Sequence, residues 1–148
     1  MFRFIQENLG RTLRSVSSYA EMRPDFRLRS RINRTLLCHR PSMSADVWFE
    51  RFWQPRGVRL SVARFVHCHL SDYSGLWWDR TVPSDRLHED LHLSLVCWFD
   101  WEMTLLEDLA REFELAAEDL DALAERLAEA ITVEDFLHLI EQQFVQVV

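Results

Sequence analysis

The chain has 148 residues, 48% of them apolar and 12% aromatic, which suffices for one sizeable core, leaves no room for two ordinary enzyme domains and excludes wholesale disorder. Three Gly and four Pro are few for an all-β chain, and the three scattered Cys (Cys38, Cys68, Cys97) form no CxxC pair, so neither a disulfide framework nor a zinc ribbon is expected and a reducing cytoplasm suits them. The net charge of −7 conceals two opposite halves, because residues 1–40 hold nine of the 17 Arg against Glu7, Glu21 and Asp25, whereas residues 100–141 set only Arg111 and Arg126 against 14 acids. The acidic half is expected to repel nucleic acid and attract basic protein surfaces. All basic residues are Arg and none is Lys, a mark of a GC-rich genome that we read as bacterial. No uncharged apolar run approaches the roughly 18 residues of a membrane span, and the opening MFRFIQENLGRTLR lacks the apolar stretch of a secretory signal, so a cytoplasmic protein without a transmembrane segment is expected.

In chain order, Phe2, Ile5, Leu9, Leu13 and Val16 fall on one helical stripe with Arg3, Arg11 and Arg14 off it. Pro24 interrupts, then Leu28, Ile32 and Leu36 resume the stripe among Arg27, Arg29, Arg31 and Arg34 before the break CHRPSMSAD. Residues 1–45 thus read as a basic helical arm and linker. It is expected to latch onto the acidic half or to be mobile, with peripheral contact to an anionic membrane, contact to nucleic acid, or a transit role in a eukaryotic source, as the alternatives, and its removal is expected to leave a folded domain over residues 46–148. Asp46 is placed to cap a short helix with Trp48, Phe49, Phe52 and Trp53, ended by Pro55 and Gly57. Val58, Val62, Phe65, Val66 and His69 mark the next helix, and Ser71 to Arg86 reads as a long loop pinned by Trp77 and Trp78.

A longer helix is predicted from Leu95 to Phe113, with Leu95, Phe99, Leu106, Leu109 and Phe113 on one face. Two residues break the sorting: Glu102 falls in the apolar arc and Trp101 outside it, towards solvent. Leu120, Leu123, Leu127 and Ile131 give a third helix. A last one opens at Thr132 with Asp135 three positions on, a capping-box arrangement, and carries the stripe Val133, Phe136, Ile140, Phe144 and Val147.

Three phrases in the second half carry a resemblance. Leu87-His88-Glu89-Asp90-Leu91-His92-Leu93-Ser94-Leu95 ends the loop, Leu109-Ala110-Arg111-Glu112-Phe113 ends the long helix, and Thr132-Val133-Glu134-Asp135-Phe136 opens the last. In this order, over about residues 57–143, they resemble an acyl carrier protein. The resemblance implies an all-α, acyl-carrier-like four-helix bundle, here with an Arg-rich helical extension. It also implies phosphopantetheine on a Ser of an Asp-Ser-Leu phrase. Ser94 follows Leu93 instead of Asp and sits one position early, so the chain is most similar to relatives that keep the fold and lack the modified serine. A non-catalytic interaction domain without cofactor is therefore expected, its acidic face binding a partner through Asp100, Trp101, Asp108 and Glu112, with Trp98 packing in the core; a carrier bearing phosphopantetheine on Ser94 is the second reading.

His88-Glu89-Asp90-Leu91-His92 also fits HExxH, in which two His one helical turn apart bind zinc and the Glu acts as general base. That chemistry needs a helix, whereas the carrier resemblance makes these residues a loop end, so a small zinc hydrolase is only the third reading. His67-Cys68-His69 cannot hold one ion from a helix, since residues two apart point away from each other. Glu102, if buried, is expected to have a partner in His69, His88, His92 or Arg64, because an unpaired buried carboxylate is costly.

Overall fold

The computed structural model describes residues 23–145, so the stripe at Phe2–Val16 and Val147 lie outside the described residues. Among these the chain forms seven α-helices and no β-strand, so the all-α expectation holds. No helix among the described residues is long and apolar enough to cross a membrane.

Helix α1 (Phe26–Ile32) starts where the Asp25 carboxylate accepts a hydrogen bond from the Leu28 amide at 3.0 Å, and it widens into a π-type turn through Leu37. From Asp25 onward the expected arm contributes side chains to the core of the later helices. Leu28, Ile32, Leu37 and Met43 are buried in the same hydrophobic core as the later helices. Arg29 donates from Nε to the Val96 carbonyl at 2.7 Å, and Arg40 grips both Asp85 oxygens at 2.6 and 2.9 Å. The apolar stripe decides the matter, since burying it is favourable while Arg27, Arg31 and Arg34 stay hydrated on the outer face.

Helix α2 (Ala45–Trp48) is capped by Ser44, which accepts from the Val47 amide at 3.3 Å, and not by Asp46, which pairs with Arg64 at 2.8 Å. Trp48 and Trp53 are fully buried, and the Trp48 indole donates to the Thr81 carbonyl at 3.0 Å. Helix α3 (Leu60–Ser74) buries Val62, Phe65, Val66 and Leu70, and runs four residues into the expected loop before Gly75 ends it at φ +66°. A Cβ on Gly75 would lie 2.8 Å from Arg29 Nη1, so the glycine serves both the turn and the passage of that guanidinium.

The segment from Gly75 to His92 is irregular yet packed. Leu76, Trp78, Leu87 and Leu91 are buried, whereas Trp77, expected to help pin the loop, is exposed. An isolated antiparallel bridge fastens it to the start of the last helix: the Leu87 amide donates to the Ile131 carbonyl at 2.8 Å, and the Val133 amide to the Asp85 carbonyl at 2.9 Å.

The helix expected over Leu95–Phe113 is two helices, α4 (Leu93–Val96) and α5 (Trp101–Phe113), with extended backbone at Cys97 between them. The break resets the helical phase. Leu95, Phe99 and Trp98 are consequently exposed, while Trp101 turns inward with Leu105, Leu106 and Leu109. Helix α6 (Ala117–Leu127) buries Leu123; Ile131 lies beyond its end and is exposed. Helix α7 (Val133–Val145) buries Val133, Phe136, Leu137 and Ile140. Its capping box is complete. Thr132 Oγ1 accepts from the Asp135 amide at 3.1 Å, and the Asp135 carboxylate accepts from the Thr132 and Ile131 amides at 3.0 and 3.1 Å. Helix α7 packs on α3 and α6, α6 also on α5, and α4 against α1.

Candidate functional site

The α3–α5 seam gathers polar side chains that the sequence scatters. On α3, His69 and Tyr73 are one turn apart; on α5, Asp108, Arg111 and Glu112 occupy one stripe. His69 Nδ1 lies 3.4 Å from Asp108 and its Nε2 3.4 Å from Glu112, while the Tyr73 hydroxyl donates to Asp108 and stands 3.3 Å from His69 Nδ1. Arg111 approaches Asp108 from the other side at 3.5 Å. Burial, reinforced by the bond to Asp108, raises the Tyr73 pKa, so its hydroxyl stays a donor. The cluster clasps α3 to α5 and engages Asp108 and Glu112 within the molecule.

An aromatic row continues from this clasp. His69 stacks on Phe65 with ring centroids 4.2 Å apart, Phe65 meets Phe113 at 5.5 Å, Phe113 meets Phe144 edge-on at 4.9 Å, and the Arg59 guanidinium lies 4.3 Å over Phe144. Beside its far end is a cleft of about 550 Å³ between the α5–α6 turn and α7, whose lining includes Arg59, Phe113, Glu114, Leu115, Gln143 and Phe144. Arg59 is already paired with Glu141 at 2.9 Å. Gln143 is only 5% exposed and donates from Nε2 to the Leu139 carbonyl at 3.4 Å. Glu114 closes α5 in a left-handed conformation at φ +54°, which turns the chain sharply into α6.

Of the four residues expected to bind a partner, Trp101 is buried, which corrects its placement towards solvent. Asp108 is held in the clasp, Glu112 is half-exposed against His69, and Asp100 stands at the N-cap of α5. Other acids make no ion pair among the described residues. Glu107, Glu114, Glu118, Asp119, Asp121, Glu125 and Glu129 are all exposed on α5, α6 and their ends. Trp98, expected in the core, is exposed beside Phe99. Sequence reasoning missed the Tyr73 and Phe113–Phe144 contacts, whose only signal was the one-turn spacing of His69 and Tyr73.

Ser94 is exposed at the second position of the short α4. His88 and His92 lie on a turn, with His92 in left-handed conformation at φ +51°, so they do not share a helix face as zinc chemistry requires. Arg86 binds Glu89, and it holds Asp90 at 3.2 Å, which keeps the Asp90 carboxyl below its ordinary range. Among the described residues no three His, Cys, Asp or Glu side chains converge as a metal site would need.

Glu102 is half-buried on the inner side of α5. Burial raises its pKa, and the charge of His88 offsets this in part, without an ion pair to Glu102 among the described residues. Of its other expected partners, His69 faces Asp108 and Arg64 faces Asp46. The nearby Cys97 thiol is pushed up to about 12 by burial, against the pull of Arg29 and with the push of Glu102. It is thus an unreactive core thiol at neutral pH. No protein-family model matches this chain, and neither a curated protein nor a solved structure shows significant similarity to it.

Proposed function

We propose that the chain is a non-catalytic, acyl-carrier-like interaction domain that binds a basic protein surface through the acidic face of α5 and α6. One observation carries this reading: the exposed acids of that face, from Glu107 to Glu129, have only Arg111 and Arg126 among them as counter-charges. Such a field steers cationic partners and repels polyanions. Exposed Trp98 and Phe99 before the first turn of α5 supply an apolar anchor of the kind interfaces use. The order α3, long loop, α5, α6, α7 supports the carrier-like part of the reading.

Fluorescence anisotropy with labelled octa-arginine tests it. Binding is expected at ~0.1 M salt and is expected to be largely lost near 1 M, as the Debye length falls from about 10 to about 3 Å, with octa-glutamate silent throughout. Absence of octa-arginine binding at low salt rejects the proposal. A carrier role is the second reading, favoured by the exposure of Ser94. Intact mass after co-expression with a broad phosphopantetheinyl transferase is expected to be unchanged; a gain abolished by Ser94→Ala would replace the first reading with the second.

A further inference from the structure

Four large apolar side chains stand exposed at one corner of the fold. Phe26 opens α1, Leu95 lies on α4, and Trp98 and Phe99 follow in the link to α5; each is between 42% and 55% exposed. The hydrogen bond from the Asp25 amide to the Leu95 carbonyl, 2.9 Å, and the packing of α4 on α1 bring the two segments together. The link itself is held, with Cys97 buried and the Trp101 amide donating to the Trp98 carbonyl at 3.1 Å, while the Trp98 and Phe99 rings stay outside the core. Grouped apolar side chains left in water mark contact sites, because covering them is favourable.

Residues 1–22 adjoin this corner along the chain. The described residues begin at Arg23, two positions before the Asp25 amide that binds Leu95, so the preceding segment leaves the domain at this edge. By its spacing that segment carries one apolar stripe, Phe2, Ile5, Leu9, Leu13 and Val16, about 21 Å long at 1.5 Å per residue, with Arg3, Arg11 and Arg14 on the other side. The residues from Ser17 to Arg23 reach at most about 25 Å, enough to bring the stripe back over the corner. A tether of that length holds the stripe at an effective concentration of order 1 mM, which a second copy at micromolar concentration does not match.

We infer that Phe26, Leu95, Trp98 and Phe99 form the docking site of residues 1–16 of the same chain, held by apolar contact with the arginines left in water. Such a contact differs from a latch on the acidic half, which depends on charge. It goes beyond the acidic-face reading and does not rest on it, and a partner that uses Trp98 and Phe99 as an anchor must displace the segment first.

Hydrogen exchange of the full chain, read by mass spectrometry, tests the docking. Peptides within residues 2–16 are expected to exchange at least about fivefold slower in the wild type than in the variant combining Leu95→Ser and Phe99→Ser, whereas Val47→Ser, at an equally exposed apolar position on α2, changes the rate less than about twofold. The reciprocal variant, Leu9→Ser with Leu13→Ser, is expected to speed exchange as much and to shift the Trp98 indole NMR signal while leaving those of the buried Trp48 and Trp53 in place. Protection is expected to persist near 1 M salt and to be equal at about 2 and about 20 μM protein. Circular dichroism confirms that each variant is folded; should the Leu95 and Phe99 pair fail to fold, the Leu9 and Leu13 pair and the Trp98 signal decide. Exchange unchanged in both pairs overturns the docking, and protection lost near 1 M salt overturns it in favour of the acidic half. Protection that grows with protein concentration assigns the corner to a second copy, and protection seen only with vesicles of equal phosphatidylcholine and phosphatidylglycerol assigns the stripe to a lipid surface; either result also overturns it.

Discussion

Glu102 shows how one side chain's surroundings set a measurable sign. Its raised pKa means that the folded chain keeps a proton over a pH range in which the unfolded chain has released it. Stability is then greatest below the ordinary carboxylate range and is lost as pH rises through the raised folded value. Glu102→Gln removes that loss, so the variant is expected to melt ~2 °C higher than wild type at pH 7, with the gap closing towards pH 4. An ion-paired Glu102, as the sequence led one to expect, would give a lower Tm at pH 7. The presence of an acid among apolar neighbours was legible in the helical spacing, but that it makes no ion pair among the described residues was not, because the competing acids Asp108 and Asp46 engage His69 and Arg64 only in three dimensions. Gly75 is a second case. Gly75→Ala adds a Cβ at φ +66° and pushes it against Arg29, so a loss of about 1–3 kcal/mol in urea unfolding is expected.

Local signals were reliable for elements wherever the chain satisfied its own backbone. Thr132 and Asp135 exchange their capping bonds as the sequence pattern indicated, and Thr132→Ala is expected to cost about 1 kcal/mol in thermal unfolding. The long loop is a different matter, since its order comes from partners far along the chain. Asp85 is buried, receives both arms of the Arg40 guanidinium and also accepts from the Val82 amide at 2.9 Å. Arg40→Ala strands that carboxylate and is expected to cost about 2–4 kcal/mol, whereas the exposed Arg86–Asp90 pair is worth at most about 1 kcal/mol by the same measurement. The phase of α5 was misread for a related reason. Averaging Leu95 and Phe99 with residues beyond Cys97 imposes one helical period across a break, which moved Trp101 outward and drew Trp98 inward.

Across the whole molecule, Leu28, Ile32, Leu37 and Met43 of the basic segment lie in the same core as the later helices. Deleting residues 1–44 removes Leu28, Ile32, Leu37 and Met43 from the core and strips Arg40 from Asp85, so the truncated chain is expected to lose cooperative unfolding by calorimetry; a sharp transition near the full-length Tm would restore the arm as a separate unit. The sequence by itself determined the helical class, the opposition of basic and acidic segments, the last helix with its cap and the apolar stripes of α1 and α7, because each rests on periodicity or on partners within four residues. Only the tertiary structure decided that the basic segment joins the core, that the long helix breaks at Cys97, that Asp108 is taken into a clasp with Tyr73 and that Gln143 lines a cleft beside Phe113. Those outcomes depend on contacts between residues 30 or more positions apart, where packing selects among partners that local spacing leaves equivalent.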